Sequence, residues 1–202
     1  MLTIYNEFKD YLKDSYYIDW KNESILKLAE KLRVKDNEIE TICRTYIFVR
    51  DEIKHSWDVQ DKRVTATASD VLQEGVGICY AKSHLLAALL RANNIPTGIC
   101  YQRLTLGDTP ESGYCIHALN AVYLKSMDKW IRLDARGNKD GIEAEMSPEE
   151  EKLAFVVREE FEEIDYKIVY AEPLQITTDV LETNTDAIYM YLNDLPDRIT
   201  IE

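Results

Sequence analysis

The sequence is poor in the residues that loosen or interrupt a chain, with seven glycines and five prolines among 202 positions. So small a share excludes long disordered or low-complexity stretches, and no unit repeats at a fixed period. Long apolar runs are missing as well. The run from Leu85 to Leu90 falls far short of the ~20 residues that span a bilayer. Met1–Asp10 has neither a basic start nor an apolar stretch behind it, so the expected location is the cytoplasm. Positive charge is scarce: 24 Lys and Arg stand against 37 Asp and Glu, a net charge of −13. Phosphate recognition needs concentrated basic surface, so nucleic acid is not an expected partner, and an anionic membrane would repel the chain. Cys43, Cys79, Cys100 and Cys115 contain no C-x-x-C pair, so they read as free thiols rather than as disulfides or a paired zinc motif.

Against these absences stands an ordinary globular composition, 46% apolar and 30% charged. The length suits one domain over 1–202, with a core at about 41–141 and an extension over 142–202 packed on it, because roughly 60 residues form only a marginal core alone. The first third has helical periodicity: Leu2–Leu12, Ser24–Leu32, and a stripe through Ile39, Ile42, Tyr46, Val49 and Ile53. A polar loop over Asp58–Ala68 follows. Ser69 or Asp70 then opens a short helical turn, and Gly75–Cys79 is expected to be a tight turn. Tyr80–Ala92 is rich in Ala and Leu and is a strong helix, stopped by Asn93-Asn94-Ile95-Pro96. Thr97–Leu106, Tyr114–Leu124 and Trp130–Ala135 alternate as strands. In the extension, Ser147-Pro148-Glu149-Glu150 has the capping chemistry of a helix start. Asp165–Val169 and Gln175–Thr178 are expected to be extended, and Thr178–Asn193 helical. The acidic block from Glu143 to Asp165 is expected to be a solvated face.

Cys79 therefore falls at the start of a buried helix. A thiol of pKa near 8.5 is mostly protonated at neutral pH. Two devices favour its thiolate: the unsatisfied N–H groups of a helix N-terminus and a neighbouring imidazolium. His117 lies on one following strand and Asp134 at the end of the next, so antiparallel pairing brings both to one end of a small sheet. A carboxylate on the second imidazole nitrogen fixes the ring's tautomer, and the Cys79 N–H is a natural oxyanion donor. His84 is a poor base for Cys79, being about 140° around the helix from it. His55, Trp57, Gln102 and Arg136 are candidates for the cleft wall or a second oxyanion donor. The plainer reading has Trp57 in the core, His55 exposed and Arg136 paired with an acidic neighbour.

Gly77-Ile78-Cys79, Arg91-Ala92-Asn93-Asn94-Ile95-Pro96, His117-Ala118 and Trp130-Ile131-Arg132-Leu133-Asp134 together resemble the transglutaminase-like superfamily of papain-type cysteine enzymes. Val49–Ile53 looks like the helix that precedes the core in that family. Many members carry Trp after His-Ala and Pro-Thr after the Asp, where this chain has Leu119 and Ala135-Arg136. The resemblance implies an α+β papain-like core, with the nucleophile helix packed on a small antiparallel sheet, N-terminal helices and a C-terminal α/β extension. It implies acyl transfer through a thioester by Cys79, His117 and Asp134, without cofactor or metal, on a peptide or protein substrate. Hydrolysis of a peptide or isopeptide-type amide is the first reading. Transamidation, a peptide-binding module without catalysis, and a metal site built from Cys79, Cys115 and His117 stay open.

Overall fold

The computed structural model describes residues 1–200; positions 201 and 202 of the expected domain lie outside the described residues. Strand β1 (Thr3–Ile4) and a 3-10 turn at Phe8–Leu12 lead into helices α1 (Glu23–Leu32) and α2 (Glu38–Ile47). A π turn over Phe48–Glu52 ends α2 and delivers β2 (Lys54–His55), followed by the single turn α3 (Ser56–Val59). Helix α4 (Ala68–Glu74) and strand β3 (Val76–Gly77) precede the central helix α5 (Cys79–Ala92). Strands β4 (Thr97–Thr105), β5 (Tyr114–Leu124) and β6 (Lys129–Leu133) follow, then β7 (Ile164–Asp165), β8 (Ile168–Val169), α6 (Gln175–Thr183) and α7 (Ala187–Asn193). The main sheet has the antiparallel order β6-β5-β4-β7, so the fold is α+β as expected.

Helix α5 is buried along nearly its whole length, which is why its sequence shows little amphipathic stripe and much Ala and Leu. It lies between α1, α2 and α4 on one side and the sheet on the other, and Leu85, Leu86, Leu89, Ala118, Val122 and Leu133 share one core cluster. Asn120 in β5 donates to the Ser83 carbonyl at 3.0 Å, a polar pin inside that layer. At the far end of α5, the Arg91 side chain is fully buried and donates to the carbonyls of Thr97 (3.1 and 2.8 Å), Lys13 (2.7 Å) and Ala171. One guanidinium thus ties the helix end to β4, to the N-terminal segment and to the C-terminal extension.

Several local expectations are corrected. Leu2–Leu12 is not one helix: Thr3 and Tyr5 donate to Lys167 and Val169, and this parallel pairing with β8 keeps the start extended. Helix α4 is capped by Thr67 rather than by Ser69 or Asp70, and α1 is capped by Asn22. Gly75–Cys79 is not a single tight turn. Only Gly75 is left-handed (φ 67°), while Val76–Gly77 pairs in parallel with Lys54–His55. Gly77 is required there by space, since a Cβ would sit 2.9 Å from the Thr65 hydroxyl. Ser147 does accept from the Glu150 N–H (3.2 Å), but no helix grows from that cap, because Glu145 and Lys152 bridge and turn the chain back. Gln175–Thr178 is helical, not extended: the Thr177 and Thr178 hydroxyls donate to the carbonyls three residues back, which reconciles β-branched residues with a helix. The expected helix over Thr178–Asn193 is two, parted at Asn184–Asp186, where Asp186 caps α7.

No helix among the described residues is long and apolar enough to cross a membrane. Replacing Arg91 by Met keeps the apolar stem and removes every donor, stranding buried carbonyls of three segments. Arg91→Met is expected to lower the unfolding free energy by about 3 kcal/mol, read as a fall in the urea midpoint.

Candidate active site

Cys79 is the first residue of α5. Ile78 before it has extended backbone (φ −78°, ψ 173°) and offers no side-chain cap, and the first turn carries no acidic residue. The N–H groups of that turn are therefore left without a side-chain acceptor where the thiol stands. Extended pairing of Val76–Gly77 with Lys54–His55 brings the His55 strand beside the segment that leads into Cys79.

His117, in the middle of β5, is buried, and its Nε2 lies 2.8 Å from Asp134 Oδ2. With Nε2 so engaged, Nδ1 is the nitrogen left free, and Cys79 adds to the upward pull on the imidazole. Asp134 follows directly on β6 and is buried. Its Oδ1 accepts the Arg136 N–H (3.1 Å) and its Oδ2 the Ala154 N–H (3.2 Å), while Tyr46 from α2 donates to its main-chain carbonyl (3.1 Å). Burial alone raises the pKa of this carboxyl, but His117 and the two N–H donors hold it below the usual value. For His117 burial acts downwards, and the charges of Asp134 and Cys79 outweigh it, lifting the imidazole to about 10. Phe155 sits edge-on against the ring, with centroids 5.1 Å apart, and closes the pair from the side of the extension.

Cys79, His117 and Phe155 open on a cleft of about 560 Å³, lined also by Ile78, Leu104, Ile142 and Val156. Beside His117, the strand edge at Ile116 is already occupied: its N–H donates to Pro196 (2.8 Å) and its carbonyl accepts from Tyr80 (2.8 Å).

The other sequence candidates divide. His55 lines the cleft and is buried, the reverse of the plainer expectation, and its Nδ1 has no hydrogen-bond partner. Burial, together with Arg136, keeps its imidazole neutral, well below its ordinary pKa. Trp57 also lines the cleft, half-buried and stacked on Tyr191 of α7 at 4.3 Å. Arg136 reaches the wall, but its guanidinium is held by Asp58 (2.5 and 2.9 Å), which also binds Lys139 (2.8 Å). Gln102 faces His117 across the β4–β5 register yet is buried and is not part of the cleft wall. His84 is buried and bonded to the Ala66 carbonyl (2.8 Å), away from the thiol. Cys115 lines the cleft, and burial pushes its thiol up to about 12. Among the described residues no three His, Cys, Asp or Glu side chains form a group able to hold a metal ion, so the metal reading finds no ligand set. Phe155, Tyr191 and Lys82 went unnoticed in the sequence. The apolar island Leu153–Val157 inside the acidic block is the signal that marks the first of them.

Residues 26–135 match the sequence profile of the Transglutaminase-like superfamily. Among solved structures, a candidate cysteine protease from Cytophaga hutchinsonii is similar at 22% identity and TM-score 0.51, over 64% of this chain and 42% of that one. The periplasmic domain of TgpA from Pseudomonas aeruginosa is similar at 17% identity and TM-score 0.45, over 62% and 45%. A TGase is similar at 17% and 0.42, over 92% and 52%. The chain thus spans about half or less of the length of each of these structures. No match is found among curated proteins.

Asp134→Asn keeps the shape but removes the charge that opposes burial. The His117 pKa is then expected to fall below its ordinary value, and alkylation of Cys79 by iodoacetamide at pH 6 to slow by roughly two orders of magnitude, followed by peptide mass mapping.

Proposed function

The chain belongs to the transglutaminase-like superfamily, and on that premise we propose that Cys79, His117 and Asp134 carry out acyl transfer through a thioester. The observation behind this reading is the buried hydrogen bond between Asp134 and His117, with His117 lining the same cleft as Cys79 at the uncapped start of a buried helix. The proton is held on His117, so the sulfur attacks an amide carbonyl as the thiolate. A negative oxygen develops next to the Cys79 N–H, where the helix terminus stabilises it. His55, neutral and with an unpaired buried nitrogen in the same cleft, is the proposed second polar contact to the acyl group. Collapse of the intermediate breaks the C–N bond, and His117 gives its proton to the departing amine. Water then enters, His117 takes a proton from it, and the thioester is cleaved to a carboxylic acid and free Cys79.

The reading includes hydrolysis of a peptide or isopeptide-type amide as the reaction, with no cofactor required. The wall formed by Ile78, Leu104, Leu106, Ile142 and Val156 suits an uncharged acyl group, and the cations of the wall are already paired with Asp58 and Glu163.

Incubation with a p-nitrophenyl ester is expected to release nitrophenol in a burst and leave a hydroxylamine-labile acyl group on Cys79. Cys79→Ala is expected to abolish the adduct, and His117→Ala to lower the acylation rate by ~10²–10⁴-fold. With an amide substrate, whose departing amine needs the proton of the imidazolium, the acylation rate is expected to hold at neutral pH and fall as pH rises through about 10. Adding a primary amine separates the outcomes: free acid as the product means hydrolysis, and an amide means transamidation. Absence of any adduct on Cys79, with peptide still bound, would make the protein a binding module and defeat the proposal.

A further inference from the structure

Lys82 lies one turn below Cys79 on α5 and is almost wholly buried. Its Nζ lies 2.6 Å from the Ile53 carbonyl, 3.0 Å from that of Arg136 and 3.2 Å from that of Arg50. An ammonium has three donors, and here each meets a carbonyl. The three carbonyls come from two segments, the stretch Arg50–Ile53 that leads into the strand of His55 and the turn that follows Asp134. Arg50 lies in the π turn, Ile53 directly precedes the strand that carries His55, and Arg136 stands two residues after Asp134, donating its own N–H to that carboxylate. Gly137 permits the approach: its φ is 116°, and a Cβ there would lie 3.4 Å from the Arg50 carbonyl and 3.7 Å from Nζ.

A cation is a costly choice for this position. Burial, joined by the Arg136 guanidinium, presses the Lys82 pKa down to about 7, against the upward pull of Asp134, Asp58 and Asp51. A Leu or Met would fill the same volume without that penalty. Neither could join the nucleophile helix to the segments that hold Asp134 and His55.

We propose that Lys82 is a positioning residue, whose ammonium sets the Asp134–Arg136 segment, and through it His117, in register with Cys79. This rests on Cys79, His117 and Asp134 acting together as described above. Lys82 itself is not part of the cleft wall, touches no reacting atom, and acts by keeping the Arg136 N–H under the Asp134 carboxylate. Loss of the ammonium frees the Arg136 carbonyl, lets the segment drift, and weakens the hold of Asp134 on the imidazolium.

The test compares the rate of iodoacetamide alkylation of Cys79 at pH 6 and pH 9 in the wild type, Lys82→Met and Asp134→Asn, and in the double variant. Near-UV circular dichroism at the assay temperature reports whether each is folded. Folded Lys82→Met is expected to react roughly ten- to a hundredfold slower than the wild type at pH 6. The deficit should shrink at pH 9, where Lys82 of the wild type has itself largely lost its charge and an unassisted thiol ionises by itself. Because Lys82 acts through Asp134, the double variant should be no slower than Asp134→Asn alone. Equal slowing at both pH values, an unchanged rate, or additive losses would overturn the proposal. Should Lys82→Met fail to fold, Gly137→Ala decides: this loop substitution leaves the ammonium in place but forces the backbone off φ 116°, and it must give the same pH-dependent loss. A wild-type Cys79 that is slow at pH 6, or indifferent to His117→Ala, would instead refute the acyl-transfer reading itself.

Discussion

A carboxylate without water must be met on every side, and the burial of Asp134 beside His117 organises much of this molecule. The side chain takes the imidazole on one oxygen together with the Ala154 N–H, and the Arg136 N–H on the other. Its carbonyl takes Tyr46 from α2. Each donor comes from a different stretch of chain, so the pair exists only when the helical layer, the sheet and the extension are assembled together. The reward is electrostatic. In a dry setting the attraction of Asp134 and Cys79 together for a proton on His117 exceeds the penalty of burying that charge.

The extension beyond Ile142 is thereby part of the site rather than an ornament on the core. Ala154 satisfies Asp134, Phe155 covers His117, and Tyr191 stacks on Trp57 to form one wall. Pro196 occupies the strand edge next to His117. Charged side chains near the cleft are consumed in local pairs, Arg136 and Lys139 with Asp58 and Arg158 with Glu163, although the chain as a whole carries a net charge of −13. The excess of negative charge thus lies on the solvated faces.

Much of this arrangement was legible in the residues. The α5 helix and strands β4–β6 carry strong periodic signals over ten or so residues each, and they place Cys79, His117 and Asp134 in the right order and on the right kinds of element. What stayed hidden depends on pairing between distant segments. Leu2–Leu12 has helical spacing, but a strand 165 positions away pairs with its start at Thr3–Ile4. Ser147 makes its capping bond without a helix behind it. His55 reads as a polar residue near a loop, and only the parallel pairing of β2 with β3 turns it into the cleft. Lys82 could not be recognised at all, because its three partners are main-chain carbonyls and carry no mark in the side-chain sequence.

The central claim is that Asp134 keeps a proton on His117 at neutral pH inside the fold. The protein's three histidines make this directly observable by ¹⁵N NMR of the imidazole nitrogens between pH 6 and pH 9. Burial holds His55 and His84 neutral, while the His117 pKa stands near 10. The account predicts one imidazolium and two neutral rings across that range, with the charged signal absent from His117→Gln. Three neutral rings at pH 7, or an imidazolium that survives the substitution, would contradict it.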